Sequence, residues 1–438
     1  MARASERLYD CQRLVTGEPA PPSTAHRFAA DADAVMFAER QHGRAAGLKR
    51  SKMRAAALAP FLGLDLPALR ERAPATIVVT GSKGKGTAAV YASAALAANG
   101  LRVGTLTSPG LRTNRERIRV DGDAIAPGDY RALIARVAAA LEEGRDVLSQ
   151  DGYLAPTGLF TLAAARHFLD TRCDAWVLEA GMGGASDEVS LFAPGVLVLT
   201  PVFAEHIGII GDTVSDIARD KLGAAGPETR AVLTLRQPHP EVQAALRQSS
   251  APLRVVRESP LPDAVWPPSL VGDNARLGVS AALELLSALG ITPDVECTRS
   301  TLGSVALPGR MSVHRRGDQQ WRADTATNGA AARAAISWSD SMTPATATLV
   351  CVPDGKDRDG VRDAVHRRHH ISLRTDAAHL SFTEWPEPLP SLAEVDLGAL
   401  GPRVLSLGTV HFVGDVMDAL GVATERAFTP PAAGARAS

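Results

Sequence analysis

Short apolar runs and longer amphipathic stretches alternate along most of the chain. The apolar runs are rich in β-branched residues, and they predict strands at 76–80, 102–107, 174–179, 195–200 and 230–235. Apolar residues at helical spacing predict helices at 85–98, 130–143, 157–170 and 213–222. Strands that alternate with helices are typical of a parallel sheet covered by helices. The pattern therefore predicts an α/β fold.

A second, shorter α/β series follows a predicted helix at 274–289. Its predicted elements are a strand at 346–352, a helix near 359–368, a strand at 403–408 and a helix from 414. Segments rich in Pro, Ala and polar residues lie near both ends of the chain. We expect a flexible arm at 1–34, a mostly parallel central domain at 35–303, a smaller Rossmann-like α/β domain at 304–425 and a disordered tail at 426–438.

Composition narrows the possible partners and the compartment. The 438 residues carry a formal net charge of −1, so no global basic field attracts nucleic acid or a membrane surface. The four cysteines are far apart and form no C-x-x-C pair, which fits a reducing compartment. The first residues lack the apolar stretch of a signal peptide. We expect a cytoplasmic protein that binds small molecules.

The stretch "TIVVTGSKGKGTAAV" at 76–90 has the order strand, glycine-rich turn, helix. Glycines in the turn let backbone N–H groups approach an anion, and the helix N-terminus adds partial positive charge. Lys85 can reach terminal phosphates, and the Thr87 hydroxyl can bind Mg²⁺. The strict P-loop pattern is not met, because Val79 replaces its first glycine and Gly86 separates the lysine from the threonine. The candidate phosphate-binding residues are Gly81, Ser82, Gly84, Lys85, Gly86 and Thr87; the alternative is a glycine-rich surface turn.

Two polar residues that follow predicted strands are candidate metal ligands. Glu179 ends the apolar run in "DAWVLEAGMGG", and His206 follows another strand in "LTPVFAEHIGIIGDT". A carboxylate at the carboxyl end of a parallel strand lies beside a neighbouring phosphate loop. The alternatives are a solvated charge for Glu179 and a packed or exposed side chain for His206. With the phosphate loop, these residues indicate ATP and magnesium. The cluster "HRRHH" at 366–370 is instead typical of the basic end of a surface helix.

Several segments in a fixed order resemble the folylpolyglutamate synthase and dihydrofolate synthase family, a branch of the Mur-ligase superfamily. They are "GSKGKGT", "TSPGLRTNRERIRVDGDAI", "VLEAGMGGASD", "HIGIIGDTVSDIARDKLGAAGP", "LPGRMSV", "RADTATNGAAA", "GKDRD" and "LSLGTVHFVGDV". Together they span about residues 35 to 420. The resemblance implies a Mur-ligase type fold, with a P-loop-containing ATPase domain and a C-terminal α/β domain. It also implies an enzyme that activates a carboxylate with ATP as an acyl phosphate, which an amine, typically that of glutamate, then attacks.

The resemblance also implies roles for individual residues. Phosphate contacts are implied for Gly84, Lys85, Gly86, Thr87 and Arg310. Metal contacts are implied for Thr87, Ser108, Glu179, His206 and Lys221. Nucleotide contacts in the C-terminal domain are implied for Asp324 and Asn328, and Asp357 lies in a matching loop. Lys221 matches a lysine that is carbamylated in much of the superfamily; its alternative is an exposed helix lysine. The implied catalytic residues are Lys85, His206, Lys221 and Arg310.

Departures from the family pattern concentrate in the acid-substrate and metal-adjacent positions. These are Gly110 for a histidine, Arg115 for an asparagine, Thr157 and Gly158 for a Phe-Glu pair, Ala185 for an arginine, Ser190 for an asparagine and Glu205 for an aspartate. Further departures touch nucleotide positions, where Thr327 and Asn274 replace histidines and Gly278 replaces an asparagine. Phosphate-binding residues are thus retained while many substrate-binding ones are altered.

Three functions remain open at the level of the sequence. The retained and altered positions favour an ATP-dependent ligase that joins a non-folate acid to an amino acid or another amine. One alternative is a genuine folylpolyglutamate or dihydrofolate synthase that adds L-glutamate, and the other is a non-catalytic scaffold with the same fold. Glu205 and Asp187 are candidate general bases by position only. The sequence does not identify the acid or the amine, and the family suggests a monomer.

Overall fold

The computed structural model describes residues 31–45, 47–72, 75–148, 152–261, 264, 266–377 and 379–431. These residues form two compact units. The large unit contains residues 31–110, 114–306 and 425–431, and the small unit contains 111–113 and 307–424. Most of the predicted arm at 1–34 lies outside the described residues, and its last positions already belong to a helix that begins at Asp31.

The large unit is built on one mixed sheet. Within the described residues its strands are β1 (Thr76–Thr80), β2 (Val103–Leu106), β3 (Ile118–Val120), β4 (Asp123–Ala124), β5 (Ala175–Glu179), β6 (Val196–Leu199), β7 (Ala231–Thr234) and β8 (Leu253–Val255). Their order is β4-β3-β2-β5-β1-β6-β7-β8. The strands from β2 to β8 in this order are parallel, whereas β3 and β4 add an antiparallel edge. The predicted parallel sheet is therefore present at the centre.

Helices cover this sheet, and the predicted phosphate loop, residues 81–84, lies between β1 and one of these helices. The helices of the large unit are α1 (Asp31–Ala45), α2 (Lys52–Leu58), α3 (Leu66–Arg70), α4 (Lys85–Ala98), α5 (Pro127–Glu143), α6 (Pro156–Asp170), α7 (Val214–Leu222), α8 (Pro240–Arg247), α9 (Ser269–Ala288) and α10 (Val295–Gly303). The sequence of α4 is dominated by alanine, which favours a helix and allows close packing on every side. As a result, α4 is buried from Thr87 to Ala98, between the sheet and α9.

The small unit has its own sheet and core. Its strands are β9 (Ser312–Arg316), β10 (Gln319–Asp324), β11 (Ala347–Cys351), β12 (His370–Ser372) and β13 (Arg403–Gly408), in the order β12-β11-β13-β10-β9. Its helices are α11 (Gly329–Met342), α12 (Arg358–Val365) and α13 (Val410–Ala419). Only β9 is antiparallel to its neighbour in this sheet. This arrangement matches the predicted second α/β series, extended by a hairpin.

Two further features bear on the predictions. In the part of the chain that the structure describes, no helix combines the length and apolar character needed to cross a bilayer. The predicted disordered tail differs from the structure at its start. There, Ala427 and Phe428 are buried in the large unit, and Ala427 donates a hydrogen bond from its N–H to the Gly122 carbonyl (2.9 Å). Residues 432–438 lie outside the described residues.

Candidate functional site

The predicted phosphate loop is a tight turn whose backbone favours glycine at two positions. Gly81 and Gly84 have φ angles of +125° and +89°, a region that side chains rarely enter. A Cβ atom at Gly81 would lie 2.0 Å from the Thr200 hydroxyl oxygen, and one at Gly84 would lie 2.2 Å from the Asn274 side-chain nitrogen. The loop backbone is thus pressed against the end of β6 and against α9, with α4 beginning directly after it.

Two ammonium groups converge on one carbonyl of this loop. Lys85 donates from Nζ to the Gly81 carbonyl (3.2 Å), and Lys221, on α7, donates to the same oxygen (2.8 Å). Lys221 is buried, and burial together with the charge of Lys85 lowers its pKa to about 8, against the opposing effects of nearby carboxylates. The loop therefore combines a helix N-terminus with two positive charges, an arrangement that binds anions.

A carboxylate and a serine lie next to the first turn of α4. Glu179, at the end of β5, is only 6% exposed, and its Oε2 accepts a hydrogen bond from the Ser108 N–H (2.9 Å). A Cβ atom at Gly86 would lie 3.3 Å from the same oxygen. Thr87, the next residue of α4, is also buried. Glu179, Ser108 and the start of α4 are therefore close neighbours, and they supply the hard oxygen atoms that Mg²⁺ prefers.

His206 lies in a different setting from the other candidate metal ligands. It is an exposed residue with a φ angle of +61°, and its Nε2 lies 3.9 Å from a carboxylate oxygen of Glu205. The second oxygen of Glu205 lies 3.8 Å from Nζ of Lys83. Among the residues that the structure describes, no three His, Cys, Asp or Glu side chains are grouped to hold a metal ion.

The predicted residues of the C-terminal domain all lie in the small unit, where each has a local partner. Asp324, at the end of β10, accepts a hydrogen bond from the Met311 N–H (2.9 Å), and Arg310 donates to the Thr325 hydroxyl. Asn328 caps α11 by accepting from the Ala331 N–H (2.8 Å). The carboxylate of Asp357 accepts from the N–H groups of Gly329 and Gly360. Asn328 and Asp357 therefore lie at the start of α11, whereas Arg310 and Asp324 lie at the end of β10.

A buried ion pair lies beside Gly158, one of the positions that depart from the family pattern. The fully buried Glu188 carboxylate accepts from Nε of Arg50 (2.9 Å), and Arg50 also lies 3.0 Å from an oxygen of Asp187. A Cβ atom at Gly158 would lie 2.6 Å from the carboxyl carbon of Glu188. Glu188 thus fills the space beside the residue where the resemblance predicts a glutamate. Sequence reasoning missed Arg50 and Glu188 because nothing local marks them as partners.

The basic cluster at 366–370, Arg115 and Asp187 all have partners within the protein. In "HRRHH", Arg368 forms a two-pronged ion pair with Asp340 (2.8 and 3.0 Å), and His370 is the first residue of β12. Arg115 donates to the Ile125 carbonyl (2.8 Å). Asp187, a candidate general base, is fully buried and paired with Arg50. Its burial and its pairing do not favour a role as a base that exchanges protons with solvent or substrate.

The fold can now be compared with solved structures. The apo form of L. casei folylpolyglutamate synthase aligns with a TM-score of 0.73 at 20% identity, covering 89% of this chain and 98% of that one. Mycobacterium tuberculosis folylpolyglutamate synthase, solved in complex with ADP and AMPPCP, aligns with a TM-score of 0.67 at 22% identity, covering 90% and 100%. The architecture is therefore the two-domain α/β fold of the Mur-ligase type.

Sequence comparison identifies the relatives within this class. Human mitochondrial folylpolyglutamate synthase is 30% identical over 296 residues, which is 60% of this chain and 50% of that protein. The dihydrofolate synthase/folylpolyglutamate synthase of Bacillus subtilis is 27% identical over 266 residues, or 54% and 60%. The chain thus spans about half the length of the first of these relatives. No protein-family model matches it. The predicted resemblance to folylpolyglutamate and dihydrofolate synthases is confirmed.

Proposed function

We propose that the protein is an ATP-dependent ligase that forms an amide bond between a carboxylic acid and an amine, as the resemblance implies. The observation that carries the proposal is the phosphate loop, where Lys85 and Lys221 meet on the Gly81 carbonyl beside the Glu179–Ser108 pair. The similarity to folylpolyglutamate synthases, one of them solved with ADP and AMPPCP, supports the same conclusion. A glycine-rich surface turn would need neither two converging lysines nor a buried carboxylate.

The residues of the site fit a nucleotide with its magnesium ion. Loop N–H groups and Lys85 would bind the phosphates, and hydroxyl and carboxylate oxygens of Thr87, Ser108 and Glu179 are suitable for Mg²⁺. His206 and Lys221 remain proposed metal-site residues, and Arg310, Asp324 and Asn328 remain proposed nucleotide contacts. Magnesium bound here would neutralise charge on the transferring phosphoryl group.

In the proposed reaction the protein supplies binding and charge rather than a nucleophile. A substrate carboxylate oxygen attacks the γ-phosphorus of ATP, ADP leaves, and an acyl phosphate forms. The amine then attacks the acyl carbon, and phosphate leaves. Lys85 and the loop N–H groups would stabilise the charge that develops on the phosphoryl oxygens. The proton released by the amine has no assigned acceptor, and Glu205, which is partly exposed, remains a candidate.

For the acid, the comparisons favour the alternative over the leading sequence hypothesis. We propose a folate-type acid with glutamate as the amine, because the relatives are folylpolyglutamate and dihydrofolate synthases. The non-folate hypothesis rests on altered positions, and two of these have another explanation. Glu188 fills the space beside Gly158, and Gly223 packs closely on Ala185, where a Cβ atom at Gly223 would lie 2.7 Å from the Ala185 Cβ. Local packing accounts for both residues, so neither change by itself indicates a new substrate.

The first experiment compares thermal stability with and without Mg·ATP for the wild type, Lys85→Ala and Lys49→Ala. A ligand at one hundred times its dissociation constant stabilises a protein by about 2.7 kcal/mol. We expect a raised melting temperature in the wild type and in the exposed-lysine control Lys49→Ala, and none in Lys85→Ala. A shift that persists in Lys85→Ala would refute the phosphate role of the loop.

The second experiment measures phosphate release with Mg·ATP, glutamate and a panel of acids. The panel contains a reduced folate, dihydropteroate and unrelated carboxylic acids. Glutamate-dependent release with either pterin compound supports the proposed substrate. Phosphate release with an unrelated acid but with neither pterin compound would support the non-folate hypothesis instead. Nucleotide binding without release in any mixture would favour the scaffold.

A further inference from the structure

A chain of buried polar side chains leads from α1 to the serine beside Glu179. The Tyr130 hydroxyl donates to Asp33 Oδ1 (2.6 Å), and the Asn114 side-chain amide donates to Asp33 Oδ2 (2.8 Å). Asn114 Oδ1 in turn accepts from Nε of Arg117 (2.8 Å). Arg117 then donates from a terminal nitrogen to the Ser108 hydroxyl oxygen (2.9 Å). Each of these distances is that of a well-formed hydrogen bond.

Arg117 is the charged member of the chain and is itself only 8% exposed. Its guanidinium carbon lies 4.7 Å from the centre of the Phe160 ring. Burial lowers the pKa of Arg117 to about 10, while the charges of Glu179 and Asp33 act in the opposite direction. A buried charge is unfavourable unless it is paired and hydrogen-bonded. Asp33 and Glu179 both supply opposite charge near Arg117, and Asn114 links Asp33 to Arg117 by hydrogen bonds.

Ser108 is consequently held at two points. Its N–H donates to Glu179, and its hydroxyl oxygen accepts from Arg117. A serine hydroxyl has two lone pairs, and a serine side chain without a partner rotates among several orientations. With one lone pair taken by Arg117, the oxygen is fixed next to the Glu179 carboxylate with its other lone pair still available.

We propose that Arg117 is a positioning residue that holds the Ser108 hydroxyl in place for the Mg²⁺ of a bound nucleotide. The inference rests on the proposed nucleotide site and adds to it a residue that does not touch the metal itself. Removing a residue that orients a metal ligand commonly weakens metal binding by about 10- to 100-fold. Arg117 is a residue of this kind. Asn114 accepts a hydrogen bond from Arg117 and donates one to Asp33, which holds the guanidinium in place.

The chain offers a matched control on β3, the strand that directly follows Arg117. Arg119, on β3, is as buried as Arg117, and burial lowers its pKa as well. Its guanidinium donates to the backbone carbonyl of Gly122 (3.1 Å). Replacing Arg119 therefore disturbs a buried guanidinium of the same unit without removing the hydrogen bond to Ser108.

The experiment titrates Mg²⁺ at saturating ATP and measures the melting temperature at each Mg²⁺ concentration. The proteins are the wild type, Arg117→Lys, Ser108→Ala, the double variant and Arg119→Lys. We expect Arg117→Lys and Ser108→Ala each to raise the Mg²⁺ concentration at half-maximal stabilisation by about tenfold. The double variant should show no more than the larger single effect, because both changes remove one interaction. Arg119→Lys should lower the melting temperature without moving the Mg²⁺ midpoint.

Several results would overturn the inference. Additive effects of Arg117→Lys and Ser108→Ala would show that Arg117 does not act through the serine. An equal shift in Arg119→Lys would show a general effect of instability. A wild type that Mg·ATP does not stabilise would overturn the proposed function and this inference together. If Arg117→Lys does not fold, Asn114→Ala tests the same chain: a raised Mg²⁺ midpoint supports the inference, and an unchanged one contradicts it.

Discussion

At the scale of single residues, Lys221 is the most unusual group in the site. It is an amine with almost no exposed surface, and it faces the ammonium group of Lys85 across the Gly81 carbonyl. Its pKa near 8 means that a minor but real fraction of the amine is uncharged at neutral pH. An uncharged amine is the form that reacts with carbon dioxide. The structure is thus compatible with the carbamylation that the resemblance implies.

The lowered pKa of Lys221 also predicts how stability depends on pH. In the unfolded chain the lysine titrates near its ordinary value of 10.5, whereas in the folded protein it titrates near 8. Between these values the unfolded state holds more protons, so stability rises with pH. Below about pH 8 both states are protonated, and the burial penalty is present in full. We expect the free energy of unfolding of the wild type to rise relative to Lys221→Met from pH 8 towards 10.

Chemical denaturation of both proteins at pH 7, 8, 9 and 10 measures this difference. The variant removes only the titrating amine, so other groups that titrate in this range cancel in the comparison. A difference that stays constant with pH would contradict the lowered pKa. Residue-level detail of this kind could not be predicted from the sequence, which left Lys221 open between a site residue and an exposed helix lysine. The decisive property is burial against Gly81, a tertiary contact.

At the scale of elements, helix α9 packs closely against α4 and against the loop that precedes α4. A Cβ atom at Gly278 would lie 2.1 Å from the Ala88 carbonyl oxygen, so α9 touches the backbone of α4 at this point. One turn earlier, the buried Asn274 side chain lies against Gly84 and donates to the Leu270 carbonyl (2.7 Å). Both residues depart from the family pattern. Here they form a contact between helices, and Gly278 leaves no room for the asparagine of the family.

We therefore expect Gly278→Ala to destabilise the protein. Extra atoms in a well-packed interface typically cost about 1–3 kcal/mol, and the clash here is with backbone, which cannot rotate away. The matched control is Gly128→Ala in α5, where a Cβ atom would meet nothing within 4 Å. That variant should be unchanged or slightly more stable, since alanine favours helices over glycine. Urea denaturation of both variants measures the difference, and equal stabilities would contradict the tight contact.

The elements that could be predicted from the sequence are those with a strong local pattern. The prediction for α4 matches its bounds, and β1 and β5 to β7 lie within the predicted runs. The hairpin of β9 and β10 was missed because "SVHRR" and "QQWRAD" are mostly polar, and β8 because it is short and exposed. Helix α11 was also missed, although its first half is rich in alanine. For the site, the phosphate loop was recognisable, but the chain from Asp33 to Ser108 joins distant residues that no pattern connects.

At the scale of the whole molecule, the large unit is discontinuous along the chain. The chain leaves it after residue 306, forms the small unit and returns at residue 425. The returning segment is bound on both sides: the Ala306 N–H donates to the Ala427 carbonyl (2.8 Å), and the Ala427 N–H donates to the Gly122 carbonyl (2.9 Å). Phe428 follows and is only 1% exposed. The segment is therefore a structural part of the unit that carries the phosphate loop.

Phe428→Ala should consequently destabilise the large unit. Removing a buried phenylalanine side chain costs about 3–5 kcal/mol, through lost burial and the cavity that remains. The neighbouring Thr429→Ala is the control, because the Thr429 N–H, which donates to the Ser304 hydroxyl, is kept in that variant. Thermal denaturation followed by the Mg·ATP-dependent shift reports on the unit with the phosphate loop. A melting temperature of Phe428→Ala equal to that of Thr429→Ala would show that the segment contributes little.

The discontinuity also affects the order in which the protein matures during synthesis. Domains usually fold as units from the N-terminus onwards while the chain is being made. In this protein the large unit begins before the small unit but is completed after it. Its residues Gly122 and Ala306 can form their hydrogen bonds with Ala427 only after the small unit has been translated. A nascent chain that ends at Thr424 is expected to be open to proteolysis at the phosphate-loop unit, and one that extends past Phe428 is expected to be protected. The large unit is thus completed only after the small unit has been translated.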